Sequence, residues 1–458
     1  GESVGDLIVD NKGRETDVST TLIQDSGSFL PEEEGSGGMI VLNNLELTGL
    51  ARLEVEAGLR VGNGDLSSDF SLLMQGSLIA PELDVGNTVT EVTLKDGYFE
   101  LGQLSPHSTR DYLHFTLDNA ELAFSGLSLD IFDLLLQNVA AIYPKTPESS
   151  SGEEGGGTES GPCILRIDAG SIEVGSNSTI HADYCGYLGG YQEDNLNVSG
   201  RTFGNINEGG AMTGMGGSHG GLGGESQDFA TRPSGHGSWF RPVTPGGGGG
   251  AGAMESAEYG GNGGGVIDIT TDELLLNGSI SADGQDGKDK GGGGAGGSIL
   301  IYINGTFSGV GEISSNGGNI DNCCFAGGGG GGRIAVYYFV NSFTGSLSAE
   351  GGMGSNNLPE RHGGAGTVYM WAIDQQYGDL MIDNNGRDTD TWTTLLPGIE
   401  TGEIDELSAY RITDYSRDFE PESLAGLMVN PNVSQERMFR VFANGSDYLE
   451  KGFLMGDT

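Results

Sequence analysis

Hydrophobic and polar positions alternate with a period of two along much of this chain, and the apolar runs are short. "GGMIVLNNLELTGLARLEVEAGLRVGNGDL", "FSLLMQGSLIAPELDVGN" and "EVTLKDGYFELGQL" place aliphatic side chains at alternate positions, with Gly or Asn where runs end. Such alternation buries one face of each segment, as in a β-strand, and Gly and Asn supply the corners. Only Leu129 to Ala140 is apolar enough to suggest a helix. Strand is preferred there, because "LDNAEL" and "LNNLEL" read as one corner met at two levels.

From Val266 onward the pattern acquires a fixed period. "GGGVIDI" leads into Val266, "AGGSILI" into Ser298, "GGGRIAV" into Arg333 and "GAGTVYM" into Thr367, at spacings of 32, 35 and 34 residues. Each unit then closes through a second short strand and a turn, as in "GSISADG", "GEISSNGG" and "GSLSAEGG". Strand-built repeats of this length predict stacked coils, each pairing only with its neighbours. The expected fold is all-β, a right-handed parallel β-helix of a dozen or so coils and roughly 60 Å long at ~4.8 Å per coil. Glycine blocks such as Gly291–Gly297 are read as rigid corners of that solenoid, where positive φ and close backbone approach are needed, and not as flexible linkers.

Four regions follow. Residues 1–145 are N-terminal coils, 146–161 an acidic loop, and 162–373 the glycine-rich repeats, with a long glycine-rich insertion at 186–265 expected to pack along the coil. Residues 374–458 begin a second superunit. "GDLIVDNKGRETDVSTTLI" (5–23) and "GDLMIDNNGRDTDTWTTLL" (378–396) share 12 of 19 positions at a constant offset of 373. That echo predicts either a continuation of the coil or a region that stacks on the next subunit.

The 458 residues include 85 glycines and carry a formal charge of -44. A field of that sign repels nucleic-acid phosphates and anionic lipid, and no apolar run is long enough to span a bilayer. No basic-then-apolar leader opens the sequence, so a secreted form would have lost its signal peptide. Six N-x-[ST] sequons, at Asn177, Asn197, Asn277, Asn304, Asn432 and Asn444, point to a secreted glycoprotein.

Together the segments "GGSHGGLGG", "GGNGGGVIDI", "NGSISADGQ", "GGGGAGGSILI" and "GGGGGGRIAVYY" resemble the glycine-rich parallel β-helix repeats of large secreted surface proteins of protists and bacteria. The chain most resembles the mastigoneme proteins of heterokont algae, subunits of the tubular hairs on their flagella. The resemblance covers about residues 162 to 373 well. It implies an extracellular, glycosylated, non-enzymatic protomer that self-assembles into a filament, whereas EGF-like cysteine modules common in that family are not visible here.

Few motifs suggest chemistry. "GGSHG" (216–220) fits a nucleophile elbow in letters only, since that elbow needs a strand before the Ser and a helix after it. The histidines share no spacing, and the carboxylate-rich stretches lack basic company, so a polysaccharide-cleaving enzyme is the least favoured reading. A carbohydrate- or matrix-binding adhesin arm is the alternative, with Tyr302, Tyr337, Tyr338, Phe339, Tyr369 and Trp371 as core, subunit-contact or sugar-stacking residues. Candidate Ca²⁺ ligands are Asp10, Asn11 and Asp17, their echoes Asp383, Asn384 and Asp390, and Asp283, Asp286 and Asp289; Asx-turns explain the same residues more simply. Cys163 and Cys185 are spaced for a disulfide across one coil. Cys323 and Cys324 are adjacent and need a vicinal bridge or partners elsewhere.

Overall fold

The computed structural model describes the chain from 39 to 451, except 146–160 and gaps of eight residues or fewer; before 39 it describes 6–10 and 21–23. The alternating runs become strands that pair parallel and in chain order. A first ladder stacks Asn44–Val55, Phe70–Ala80, Val89–Lys95, His114–Asp118, Leu129–Gln137, Ile164–Val174, Val266–Leu276, Ser298–Gly309, Arg333–Phe343 and Thr367–Ala372, each on the one before. A second takes Tyr98–Leu101, Glu121–Phe124, Ala141–Pro144, Thr179–His181, Ser279–Ser281, Glu312–Ser314 and Ser346–Ser348. A third, shorter ladder joins Met39–Leu42, Gly58–Val61, Leu83–Val85 and Leu104–Pro106. This arrangement is compatible with a β-solenoid. Val266, Ser298, Arg333 and Thr367 are direct register partners, so the sequence period is the coil height.

The core runs between the ladders as aliphatic columns. Leu165, Ile267, Ile299, Ile334 and Val368 form one, and Ile142, Ile180, Ile280 and Ile313 another, all buried. Parallel stacking sets each side chain over its equivalent one coil below, so a column of one residue type fills the interior without steps. Leu129–Gln137 is a strand, with alternating burial. "LNNLEL" and "LDNAEL" are not one corner: Asn44 opens a first-ladder strand, whereas Asn119 sits at φ 50 between the first two ladders.

The glycine blocks lie in the loops between second-ladder and first-ladder strands and their backbones approach closely, as expected, but without the positive φ expected of corners. None of Gly291–Gly297 has positive φ. Gly292 and Ala295 donate to Gly250 and Gly247, Gly293 and Gly296 to Gly327 and Gly330, and Gly294 and Gly297 to Gln285 and Ala282. Donation to one neighbour recurs every third residue, the period of a polyproline-II helix, which has no internal hydrogen bonds and must send its N–H groups elsewhere. Gly261 and Gly264, Gly217, and Gly318 donate into the same block from three further segments. Six segments therefore surround it. Gly327–Gly332 repeats the pattern with bonds to Gly214, Gly217, Arg361, Gly364, Gly318 and Ser315. Much of the insertion at 186–265 belongs to this bundle, which flanks the ladders.

Past Ala372 the parallel stacking ends. Asp379–Met381 pairs antiparallel with Thr367–Ala372, and the described strands from Glu406 to Lys451 form a separate antiparallel sheet. Within the described residues, 374–458 therefore does not continue the coil. No helix among them is long and apolar enough to cross a membrane.

Candidate functional site

Three features beyond the core concentrate the chemistry. The first is an Asx spine at the turn after the second ladder. Asp183 accepts the Asp283 N–H at 2.7 Å, Asp283 accepts the Asn316 N–H at 2.6 Å, and Asn316 accepts the Glu350 N–H at 2.8 Å. A parallel column follows, with Asp286 accepting from Asn319 and Asn319 from Met353. Each short side chain thus caps a backbone N–H one coil further on, where the turn leaves the ladder. Burial, with the Asp183 carboxylate beside it, pushes Asp283 up to about 7.

The second is a buried polar cluster between bundle and ladders. The His219 ring nitrogens contact the Gly296 carbonyl at 2.9 Å and Thr244 Oγ1 at 3.1 Å. His236 packs on it with ring centroids 4.8 Å apart and contacts the Pro245 carbonyl. Arg333, 1% exposed, donates to the His236 carbonyl at 3.0 Å. Burial pushes both imidazoles down, His236 to about 4, and His236 and Arg333 push His219 further. Ser218 of "GGSHG" uses its hydroxyl on the Pro233 carbonyl and the Gly223 N–H, and so holds a turn.

The third is an aromatic face. On the outside of the first ladder Tyr302, Tyr337 and Trp371 occupy successive coils, and Tyr302 stacks on Tyr337 at 4.6 Å. Phe240 covers Tyr337, Tyr369 and Trp371, so the alternation "SILIYI" is buried on both faces. Arg440 of the antiparallel sheet lies 4.8 Å over Phe240 and 4.6 Å over Trp371, and Ser238 donates to the Ala425 carbonyl. Most of these aromatics are packing and docking residues. Phe339, by contrast, is 48% exposed.

The residues expected from sequence are distributed as follows. Asn177, Asn197 and Asn304 are exposed and Asn277 half-buried; Asn432 lies outside the described residues. Asn444 is 2% exposed, accepts the Leu424 N–H at 2.8 Å and donates to Gly445 O, so the folded protein has no room for a sugar there and that sequon is corrected. Of the Ca²⁺ candidates, Asn11 and Asp17 lie outside the described residues, and for Asp10 only the backbone is described. Asp283 and Asp286 serve the spine, and Asp383 and Asn384 accept the Asn385 and Gly351 N–H groups. Asp289 and Asp390 are exposed turn residues at φ 55 and 62. Among the described residues no three His, Cys, Asp or Glu side chains gather to hold a metal ion.

Cys163 and Cys185 are brought together as their spacing predicted, joined by a 2.7 Å bond from the Cys163 N–H to the Cys185 carbonyl, and both are free thiols in this structure. A hydrogen bond with Cys163, together with burial, pushes the Cys185 thiol well up. Cys323 and Cys324 lie outside the described residues. The buried histidine cluster had no sequence signal, because its members come from three separate segments.

The two copies of the 19-residue motif sit at opposite ends of the first ladder. In the first, Asp6–Asp10 and Thr21–Ile23 lie parallel on the two halves of Asn44–Val55. In the second, Asp379–Met381 covers Thr367–Ala372, but Thr394 turns away to bridge Gly221 and donate to Ala365 O. Val340–Phe343 extends beyond the last pairing with that terminal strand, and Val340 is 56% exposed. The described residues form an all-β protein with a long, mostly parallel sheet, compatible with a β-solenoid, and a flanking glycine bundle. Family models, curated proteins and solved structures yield no match to this chain.

Proposed function

We propose that this chain is a non-enzymatic structural protomer of an extracellular, glycosylated filament or cell-surface appendage, mastigoneme-like, with right-handed coils that assemble head-to-tail. The observation that carries the reading is the pair of matched motifs on the two ends of one ladder. A ladder whose last coils leave backbone groups and apolar side chains uncovered is a template for a further strand. End-to-end contacts between identical chains give fibres when the rotation does not close a ring. The right-handed sense follows the rule for parallel crossovers, which twisted strands favour.

Electron microscopy of the purified protein tests this. Unbranched filaments whose axial repeat matches one protomer are expected, and a monodisperse population of isolated rods at all concentrations would sink the proposal. An adhesin arm is the second reading. Exposed Met212, Phe325, Met353 and Leu358, on loops flanking the rigid glycine bundle, favour it.

A further inference from the structure

We propose that the corner between the first and second ladders is a binding groove for a linear, uncharged polysaccharide lying along the stack of coils. This goes beyond the filament reading and does not depend on it. Asp96, Asn119, Asn138 and Asn177 follow one another at this corner, all at positive φ, 51, 50, 55 and 65. They line an open groove of about 560 Å³. Lys95, Asp118 and Gln137 are successive register partners, so the residues after them repeat at the coil spacing, ~4.8 Å.

The polar groups are fixed before any ligand arrives. Asn119 Nδ2 donates to Asp96 Oδ1 at 3.0 Å, and Asn138 Nδ2 to Asp118 Oδ1 at 2.7 Å. Each amide spends one N–H on the coil below, which fixes its orientation and leaves the amide oxygen and the second N–H to meet a hydroxyl. Acceptors repeated at one coil height suit a polymer whose hydroxyls recur at a similar rise. The carboxylate of Asp118 is held 3.2 Å from Lys95 Nζ, and the whole molecule carries a charge of -44, so an acidic polysaccharide is repelled where a neutral one is not.

Val139 is the second, independent observation. It has φ 69 and is 63% exposed. A β-branched residue in the left-handed region is strained, and an exposed apolar side chain gains nothing from the core in return. Glycine would remove the strain. What valine adds at this spot is an apolar surface inside a polar groove, the combination that meets the C–H face and the hydroxyl rim of a sugar ring.

The test uses the full chain produced in a host that attaches no N-glycans, so that Asn177 stays in the groove and no sugar fills it. Titration calorimetry with linear hexasaccharides of glucose, mannose and xylose, and with an oligogalacturonate as charged comparator, is expected to show binding of at least one neutral oligomer and none of the charged one. Val139→Gly is expected to raise or leave unchanged the melting temperature while weakening binding about fivefold. The double variant Asn119→Ala, Asn138→Ala should weaken it further with the coil intact by circular dichroism. The proposal is overturned if no neutral hexasaccharide binds at millimolar concentration, if Val139→Gly binds as well as its parent, or if the charged oligomer binds preferentially.

Discussion

At the scale of single residues, glycine sets the tightest tolerances. A Cβ at Gly294 would collide with the Asn262 carbonyl oxygen, and at Gly329 with the Gly294 carbonyl oxygen. Neither neighbour can move without breaking its own place in the bundle, so Gly294→Ala is expected to destabilise by about 3 kcal/mol. Gly161→Ala, where a Cβ meets nothing within 4 Å, should stay within about 0.5 kcal/mol of wild type by chemical denaturation. Asp283 supplies the second residue-scale prediction. Its folded pKa of about 7 lies above the ordinary carboxylate value of 3.8, so the native state holds a proton that the unfolded chain has released between those limits. Stability from this group is present at low pH and lost as pH rises through 7. Asp283→Asn keeps an acceptor for the Asn316 N–H and removes the charge beside Asp183. Its melting temperature should exceed that of wild type at pH 8, and the gap should narrow as the pH falls below 7 and close only near the ordinary carboxylate value of 3.8. In that variant the buried histidines act with the opposite sign. Their folded values lie below 6.5, so the unfolded chain takes up protons first, and the melting temperature should fall as pH drops from 6.5 towards 4.

At the scale of elements, much of the ladder was legible and the bundle was not. Alternation in "VIDIT" and "ILIYI", with the spacing from Val266 through Thr367, placed strands and their register, because a core between parallel strands demands one apolar position in two. The same logic could not reveal where glycine blocks send their N–H groups. Without side chains they have no hydrophobic period, and their partners lie on segments up to more than a hundred residues away, such as Gly217 with Gly330. Nor did it foresee that Phe240 would bury the outer face at Tyr337, or that Arg440 would dock the antiparallel sheet there, since those contacts join unrelated segments. Arg440→Ala removes a guanidinium that lies over two adjacent aromatic rings, worth about 1 to 2 kcal/mol for a desolvated pair. Limited proteolysis of that variant should release the sheet beyond Met381 earlier than in wild type, while the stacked coils remain intact; equal release would show that the arginine does not hold the docking.

At the scale of the whole molecule, two opposing terms meet at the ends of the coil. Phe339 and Val340 lie on an edge that gains pairing and loses apolar exposure when another strand covers it. Against this, each protomer brings a charge of -44 towards a copy of itself. Edge pairing acts only in contact, whereas repulsion reaches over a Debye length of about 30 Å at 0.01 M salt but only about 8 Å at 0.15 M. Ionic strength should therefore decide the balance. Sedimentation is expected to show single protomers at 0.01 M salt and long assemblies at 0.15 M, reversibly. Val340→Lys, which adds a charged side chain to the open edge without touching the buried core, should hold the protein as protomers at both. Assembly that strengthened at low salt, or that ignored Val340→Lys, would place the contact elsewhere than at this edge.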